Sequence, residues 1–63
     1  MSVNREMFLA YEAVRESGYY NMFDRRALDL ANEMNDLTMD IGQWSFIITN
    51  YDELKNTYLW VSK

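Results

Sequence analysis

The side chains able to do chemistry in this chain are mainly carboxylates. Asp36 and Asp40, four residues apart, are the type of pair that can divide general-acid and general-base roles. Solvated acids around a helix start explain the same two residues equally well. The chain has no His and no Cys, so the commonest general base and the best nucleophile are missing. Ser2, Ser17, Ser45 and Ser62 therefore have no imidazole to activate them, and nothing around Lys55 or Lys63 marks a desolvated amine. Asp36-x-Thr38-x-Asp40-x-Gly42 echoes the opening of an EF-hand loop. Its glycine comes one position late, however, and Ile47 stands where a bidentate Glu is required. The expectation is a protein without catalytic activity, bound metal or cofactor, in which Asp36 to Gly42 form a capped interhelical turn.

Such a protein must act through its surface, and its size limits how that surface is held. Sixty-three residues make one domain, and a single core of this size rarely supplies more than about 3–5 kcal/mol. Without Cys, neither disulfides nor thiolate-bound zinc can reinforce it. Hydrophobic residues make up 49% of the chain and aromatics 16%, far from a disordered composition. The extra support expected is another protein surface, either a second copy or a target. Ten acids against six bases leave a net charge of −4, spread without blocks. That charge disfavours nonspecific nucleic-acid binding and is too dilute to imitate DNA phosphates. Apolar runs such as Phe46-Ile47-Ile48 fall far short of the ~20 residues of a spanning helix. Met1 to Glu6 lacks the layout of a signal peptide, so a soluble intracellular protein is expected.

Periodicity then supplies the elements. Met7, Tyr11 and Val14, with Ala10 alongside, form a helical stripe over about Val3 to Ser17, with Arg5, Glu6, Glu12, Arg15 and Glu16 mostly on the other sides. Ser2 or Asn4 suits its N-cap, and Gly18 suits the left-handed position after its end. A second helix of about 13 residues is predicted from an Asn21 N-cap, with Asp24 reaching back in an approximate capping box. Its stripe is Phe23, Ala27, Leu30 and Met34, joined by Ala31, and it ends near Asn35-Asp36. Arg25, Arg26, Asp29 and Glu33 face outward, with Arg25–Asp29 and Arg26–Asp29 pairs available.

Thr38 or Asp40, the latter with Gln43 three residues on, begins the last third. Ile41, Trp44, Ile48, Tyr51, Leu54, Tyr58 and Val61 keep three- and four-residue steps. Helices over about 39–49 and 51–60, or one long bent helix, fit this pattern. The alternative is an α+β fold in which Trp44–Thr49 and Thr57–Val61 form a C-terminal β-hairpin across Asn50–Asn56. Asp52-Glu53-Leu54-Lys55 favours helix, and the preferred fold is an all-α domain of three to four helices, 1–63. Leu28–Ala31, Leu37-Thr38 and Ile41–Trp44 also read as a helix-turn-helix. The would-be recognition helix offers Asp40, Gly42, Gln43, Ser45 and Phe46, with no Arg or Lys.

Ser17-Gly18-Tyr19-Tyr20-Asn21-Met22-Phe23-Asp24 reads as a helix stop, a short turn and a helix start. It resembles a motif of small tailed-phage proteins of unassigned function, in which Ser-Gly, two variable residues and Asn-Met-Phe recur near the N-terminus. The resemblance extends loosely through Asn50-Tyr51-x-x-Leu54-x-x-x-Tyr58, so it spans most of the chain. Tyr20 departs from it, since a smaller polar residue is more usual there. A phage source and a place in the host-cell cytoplasm are what the resemblance implies. Tyr19 and Tyr20 in the turn, and Trp60 beside Tyr58, Leu59 and Val61, match the aromatic enrichment of contact surfaces. Trp60 serves core and interface readings equally. Aromatic anchors ringed by Glu16, Asp24, Asp52 and Glu53 would suit the basic groove of a nucleic-acid enzyme. The expected role is a phage accessory protein that binds a host or phage protein, for example an anti-CRISPR or anti-restriction inhibitor of a defence nuclease. A small helix-turn-helix regulator and a self-assembling structural protein are the alternatives.

Overall fold

The computed structural model describes residues 3–18 and 21–59. Four helices follow one another: α1 (Arg5–Ser17), α2 (Arg25–Asn35), α3 (Ile41–Thr49) and α4 (Tyr51–Leu59). The fold is all-α, with no strand among the described residues. The hairpin alternative is thereby excluded over residues 44–59. Asn50, rather than beginning a turn between strands, breaks a helical run. Its N–H donates to the Phe46 carbonyl at 3.0 Å, and its own carbonyl accepts from Leu54 N–H at 2.9 Å.

Local chemistry sets most boundaries. Asn4 caps α1 by accepting the Met7 N–H at 2.9 Å. Gly18 ends it at φ 68°, a conformation that costs an L side chain roughly 1–2 kcal/mol. Asp40 caps α3 in a complete capping box: Gln43 N–H donates to its carboxylate at 2.8 Å, and Gln43 Oε1 accepts Asp40 N–H at 3.1 Å. The start of α2 departs from expectation. Asn21 does not cap it, because the Asn21 carboxamide accepts the Phe23 N–H at 2.8 Å and the Asn21 carbonyl accepts the Asp24 N–H at 2.9 Å. That closes a turn on its own, and the N-cap becomes Asp24, which accepts Arg26 N–H at 2.9 Å. The helix is consequently 11 residues long.

Packing also shifts the phase of two stripes. On α2 the buried residues are Ala27, Leu28 and Ala31. Phe23 is 79% exposed and Met34 63%, although both were expected to face the core. On α3 the deep residues are Trp44 and Ile47, and Ile41 turns outward. On α1, Phe8 is fully buried, and Glu12, expected outside, is 6% exposed. Phe8, Leu28 and Ile47 fill the centre, each worth about 1.5–3 kcal/mol on burial.

An aromatic layer joins α1 to α3 and α4. The Phe8 ring lies 5.7 Å from Tyr51 and 5.8 Å from Tyr58, while Tyr11 lies 5.1 Å from Trp44 and 5.8 Å from Tyr51. Tyr51 O–H donates to Glu12 Oε2, and Tyr58 O–H donates to the Val3 carbonyl at 3.3 Å. The two contacts set α4 antiparallel to α1. Between α2 and α3, Asn32 acts as a clamp. Its Nδ2 donates to the Met39 carbonyl and its Oδ1 accepts the Met39 N–H, both at 2.9 Å. Asp36 adopts φ 55°, and Leu37 N–H returns to the Asn32 carbonyl at 2.9 Å, as in a Schellman end.

Candidate protein-binding site

The expected site residues share one end of the bundle where the structure describes them. Glu16 is exposed in the last turn of α1, and Asp52 and Glu53 are exposed in the first turn of α4. Tyr51 places that first turn against α1 by contacting Glu12 and Arg15. Asp24 stands at the start of α2, on the chain's return from α1. Glu16, Asp52 and Glu53 form no ion pair among the described residues. Asp24 is already engaged. Its carboxylate accepts from Arg26 Nη2 at 2.9 Å, and this hydrogen bond, more than any other influence, lowers its pKa from the usual carboxylate value. Tyr19, Tyr20 and Trp60 lie outside the described residues.

The same end carries a side chain that periodicity assigned to the core. Phe23 sits on a segment held from several directions. Gly18 N–H donates to the Arg15 carbonyl at 3.1 Å, and Ser17 Oγ–H to the Val14 carbonyl at 2.5 Å. Asn21 closes the turn from below Phe23, Asp24 caps the helix above it, and Trp44 Nε1–H donates to the Met22 carbonyl at 2.7 Å. Backbone and indole thus fix the residues on either side while the Phe23 ring stays in water. The sequence does contain a signal for this: two Asx residues three apart around Phe23, each able to take a nearby backbone N–H. The helical stripe masked it.

A second constellation, between α1 and α4, was not anticipated. Glu12, nearly buried, accepts from Tyr51 O–H, and Arg15 Nη1 stands 3.6 Å from its other oxygen. The Arg15 guanidinium lies 4.9 Å from the Tyr51 ring centre, and Lys55 Nζ lies 5.9 Å from it. Burial first, and then the bond to Glu12, push the Tyr51 phenol up to about 12. Burial likewise raises Tyr11. A phenol held protonated this firmly is a structural donor at neutral pH. No buried side-chain N or O among the described residues lacks a partner.

The carboxylate pair weighed for acid–base work separates into two caps, since Asp36 ends α2 and Asp40 begins α3. No group of three or more potential metal ligands converges among the described residues. In the helix-turn-helix comparison, α3 exposes Ile41, Ser45 and Thr49. Arg25 is paired with Asp29 at 3.3 Å and Arg26 with Asp24 at 2.9 Å, at the start of the preceding helix. At the opposite end of the α1–α2 pair, a shallow groove of about 170 Å³ is lined by Glu6, Leu9, Asn35 and Leu37. None of the described helices is long and apolar enough to cross a membrane. No protein-family model, curated protein or solved structure matches the chain.

Proposed function

We propose that this chain is a tailed-phage accessory protein that acts by binding another protein, without catalysis, and that its target is a host defence nuclease or a similar nucleic-acid enzyme. The observation that carries the reading is Phe23, 79% exposed in a domain of only 63 residues. An isolated exposed Phe is unremarkable on a large protein. Here it stands on a turn closed by its neighbours' side chains and tied to Trp44, which limits the entropy lost when a partner covers it. Glu16, Asp52 and Glu53, at the same end, supply acids for the rim of a contact with a basic surface. The phage-like residues Gly18, Asn21, Met22 and Phe23 acquire one shared task in this reading, to hold and present the ring. The fold leaves α3 without cations, which favours a protein target over an operator.

The test is an affinity pull-down of the tagged protein from infected-host lysate, read by mass spectrometry, with Phe23→Asp, Tyr20→Ala and Trp60→Ala as comparison baits. One host or phage enzyme recovered by the wild type and lost with Phe23→Asp supports the reading. Absence of saturable binding to any host or phage protein refutes it.

A further inference from the structure

The groove between α1 and the end of α2 is lined by side chains of two kinds. Leu9 and Leu37 are half-buried hydrocarbon, while Glu6 and Asn35 are exposed polar groups. Its walls are held by the fold. Glu6 lies in the first turn of α1, behind the Asn4 cap. Leu37 is fixed by its N–H bond to the Asn32 carbonyl at 2.9 Å. Asn35 Nδ2 donates to the Ala31 carbonyl at 2.9 Å. A carbonyl can only accept, so the amide nitrogen must face it, and Oδ1 is the atom that Asn35 has left to offer.

The polar groups of the groove are therefore acceptors. The Glu6 carboxylate forms no ion pair among the described residues, and Asn35 adds an amide oxygen. An apolar occupant would strip water from both and replace none of its hydrogen bonds. A guanidinium supplies the missing half, with five N–H donors and no acceptor. Its planar fork engages a carboxylate through two parallel bonds and leaves donors for a second oxygen. The methylene stem behind it suits a pair of leucines. Space agrees as well. A cavity of roughly 150 Å³ holds one benzene ring, and the groove, at about 170 Å³, has room for one side chain.

We propose that this groove is a socket for one arginine side chain of a partner protein, its guanidinium on Glu6 and Asn35 and its stem between Leu9 and Leu37. Charge around the groove is consistent with such an occupant. Glu33 and Asp36 are exposed near the end of α2, and the last turn of that helix carries no basic side chain. Arg5 is the opposing cation, but adjacent helical residues do not face each other, and it forms no pair with Glu6. The net charge of −4 draws a basic protein surface and repels phosphate. The socket stands at the opposite end of the α1–α2 pair from Phe23, so it goes beyond the contact proposed there and does not require it.

Titration of the isotope-labelled full chain with N-acetyl-arginine amide, followed by NMR, tests the socket without any other protein. The expected result is saturable shifts centred on Glu6, Leu9, Asn35 and Leu37, with a Kd on the order of millimolar. Overhauser contacts should join the probe's methylenes to the Leu9 and Leu37 methyls, a readout that depends on no variant. N-acetyl-citrulline amide, equal in length but uncharged, should bind roughly 10-fold more weakly or worse, and Glu6→Gln should lose a similar factor for the arginine probe. N-acetyl-lysine amide should fall between, since an ammonium lacks the fork. Phe23→Asp should leave the binding unchanged. Shifts that do not saturate, shifts equally strong at Asp52 and Glu53, or citrulline matching arginine would overturn the proposal. So would contacts from residues 60–63 of the chain itself to the Leu9 and Leu37 methyls before any probe is added. Arginine binding alongside a pull-down that recovers nothing would leave the socket standing and remove the Phe23 reading; a Phe23-dependent partner without arginine binding would do the reverse.

Discussion

Removing one phenolic oxygen should cost this domain close to half its stability. In Tyr51→Phe, the Glu12 carboxylate, 6% exposed, loses the hydroxyl that donates to it. Its remaining partner is Arg15 at 3.6 Å, whose side chain is 48% exposed and correspondingly screened. A hydrogen bond to a charged group contributes about 1.5–3 kcal/mol, so an expected loss of ~2 kcal/mol is reasonable. Against a core that rarely supplies more than about 3–5 kcal/mol at this size, that is a large fraction, and Tm should fall by roughly 8–16 °C. Glu12→Leu removes the buried charge, and the double variant leaves neither partner stranded. A double-mutant cycle by urea denaturation should therefore give a coupling of about 1.5–2 kcal/mol. Alkaline pH supplies an independent reading of the same bond. The folded-state pKa of Tyr51, about 12, lies above the unfolded value near 10. Its contribution is thus complete below pH ~10 and is lost as pH rises toward ~12. Two units correspond to ~2.7 kcal/mol, which solvent screening around the partly exposed phenol reduces to roughly 1–2 kcal/mol. Tyr51→Phe should abolish this part of the alkaline loss and retain the part due to Tyr11, whose pKa is also raised. A coupling below ~0.5 kcal/mol, or an alkaline limb identical in wild type and Tyr51→Phe, would refute the reasoning.

Other perturbations probe the turns. Trp44→Phe keeps most of the buried ring but leaves the Met22 carbonyl without its indole donor; a loss of about 1–2 kcal/mol is expected by urea denaturation, with faster hydrogen exchange around residues 22–24. Asn32→Ala removes both bonds to the Met39 backbone and should cost about 2–3 kcal/mol, whereas a change under ~0.5 kcal/mol would mean that water replaces the clamp. Gly18→Ala meets no atom within 4 Å of the added carbon. Its cost should therefore be the backbone's alone, about 1 kcal/mol at φ 68°, read as a Tm decrease of roughly 4–8 °C.

Short-range chemistry made much of this fold legible. Asn4, Gly18 and Asp40 with Gln43 are caps whose action spans at most four residues, and each acts where its type and position suggest. The Arg25–Asp29 pair is equally local. The start of α2 was less legible, since Asn21 and Asp24 are both good N-caps and their spacing allows either to win. Periodicity failed where an apolar side chain had two possible environments. A stripe of Phe23, Ala27, Leu30 and Met34 marks one side of a helix, but not how much of that side a 63-residue chain can cover. Nor could it distinguish the half-buried Ile48 from Ile47, its fully buried neighbour.

Residue type and near neighbours account for the absence of thiols and imidazoles, for the preference for helix over hairpin, and for the helix ends at Gly18 and Asp40. The enclosure of Glu12 and the display of Phe23 follow instead from contacts between distant segments. Glu12 is tolerated inside because Tyr51, 39 positions away, brings it a donor. Phe23 stays outside because Trp44, 21 positions on, bonds the backbone beside it and not its ring. Those contacts join segments that carry no mark of each other in their local pattern, so their outcome depends on how four helices share one small core.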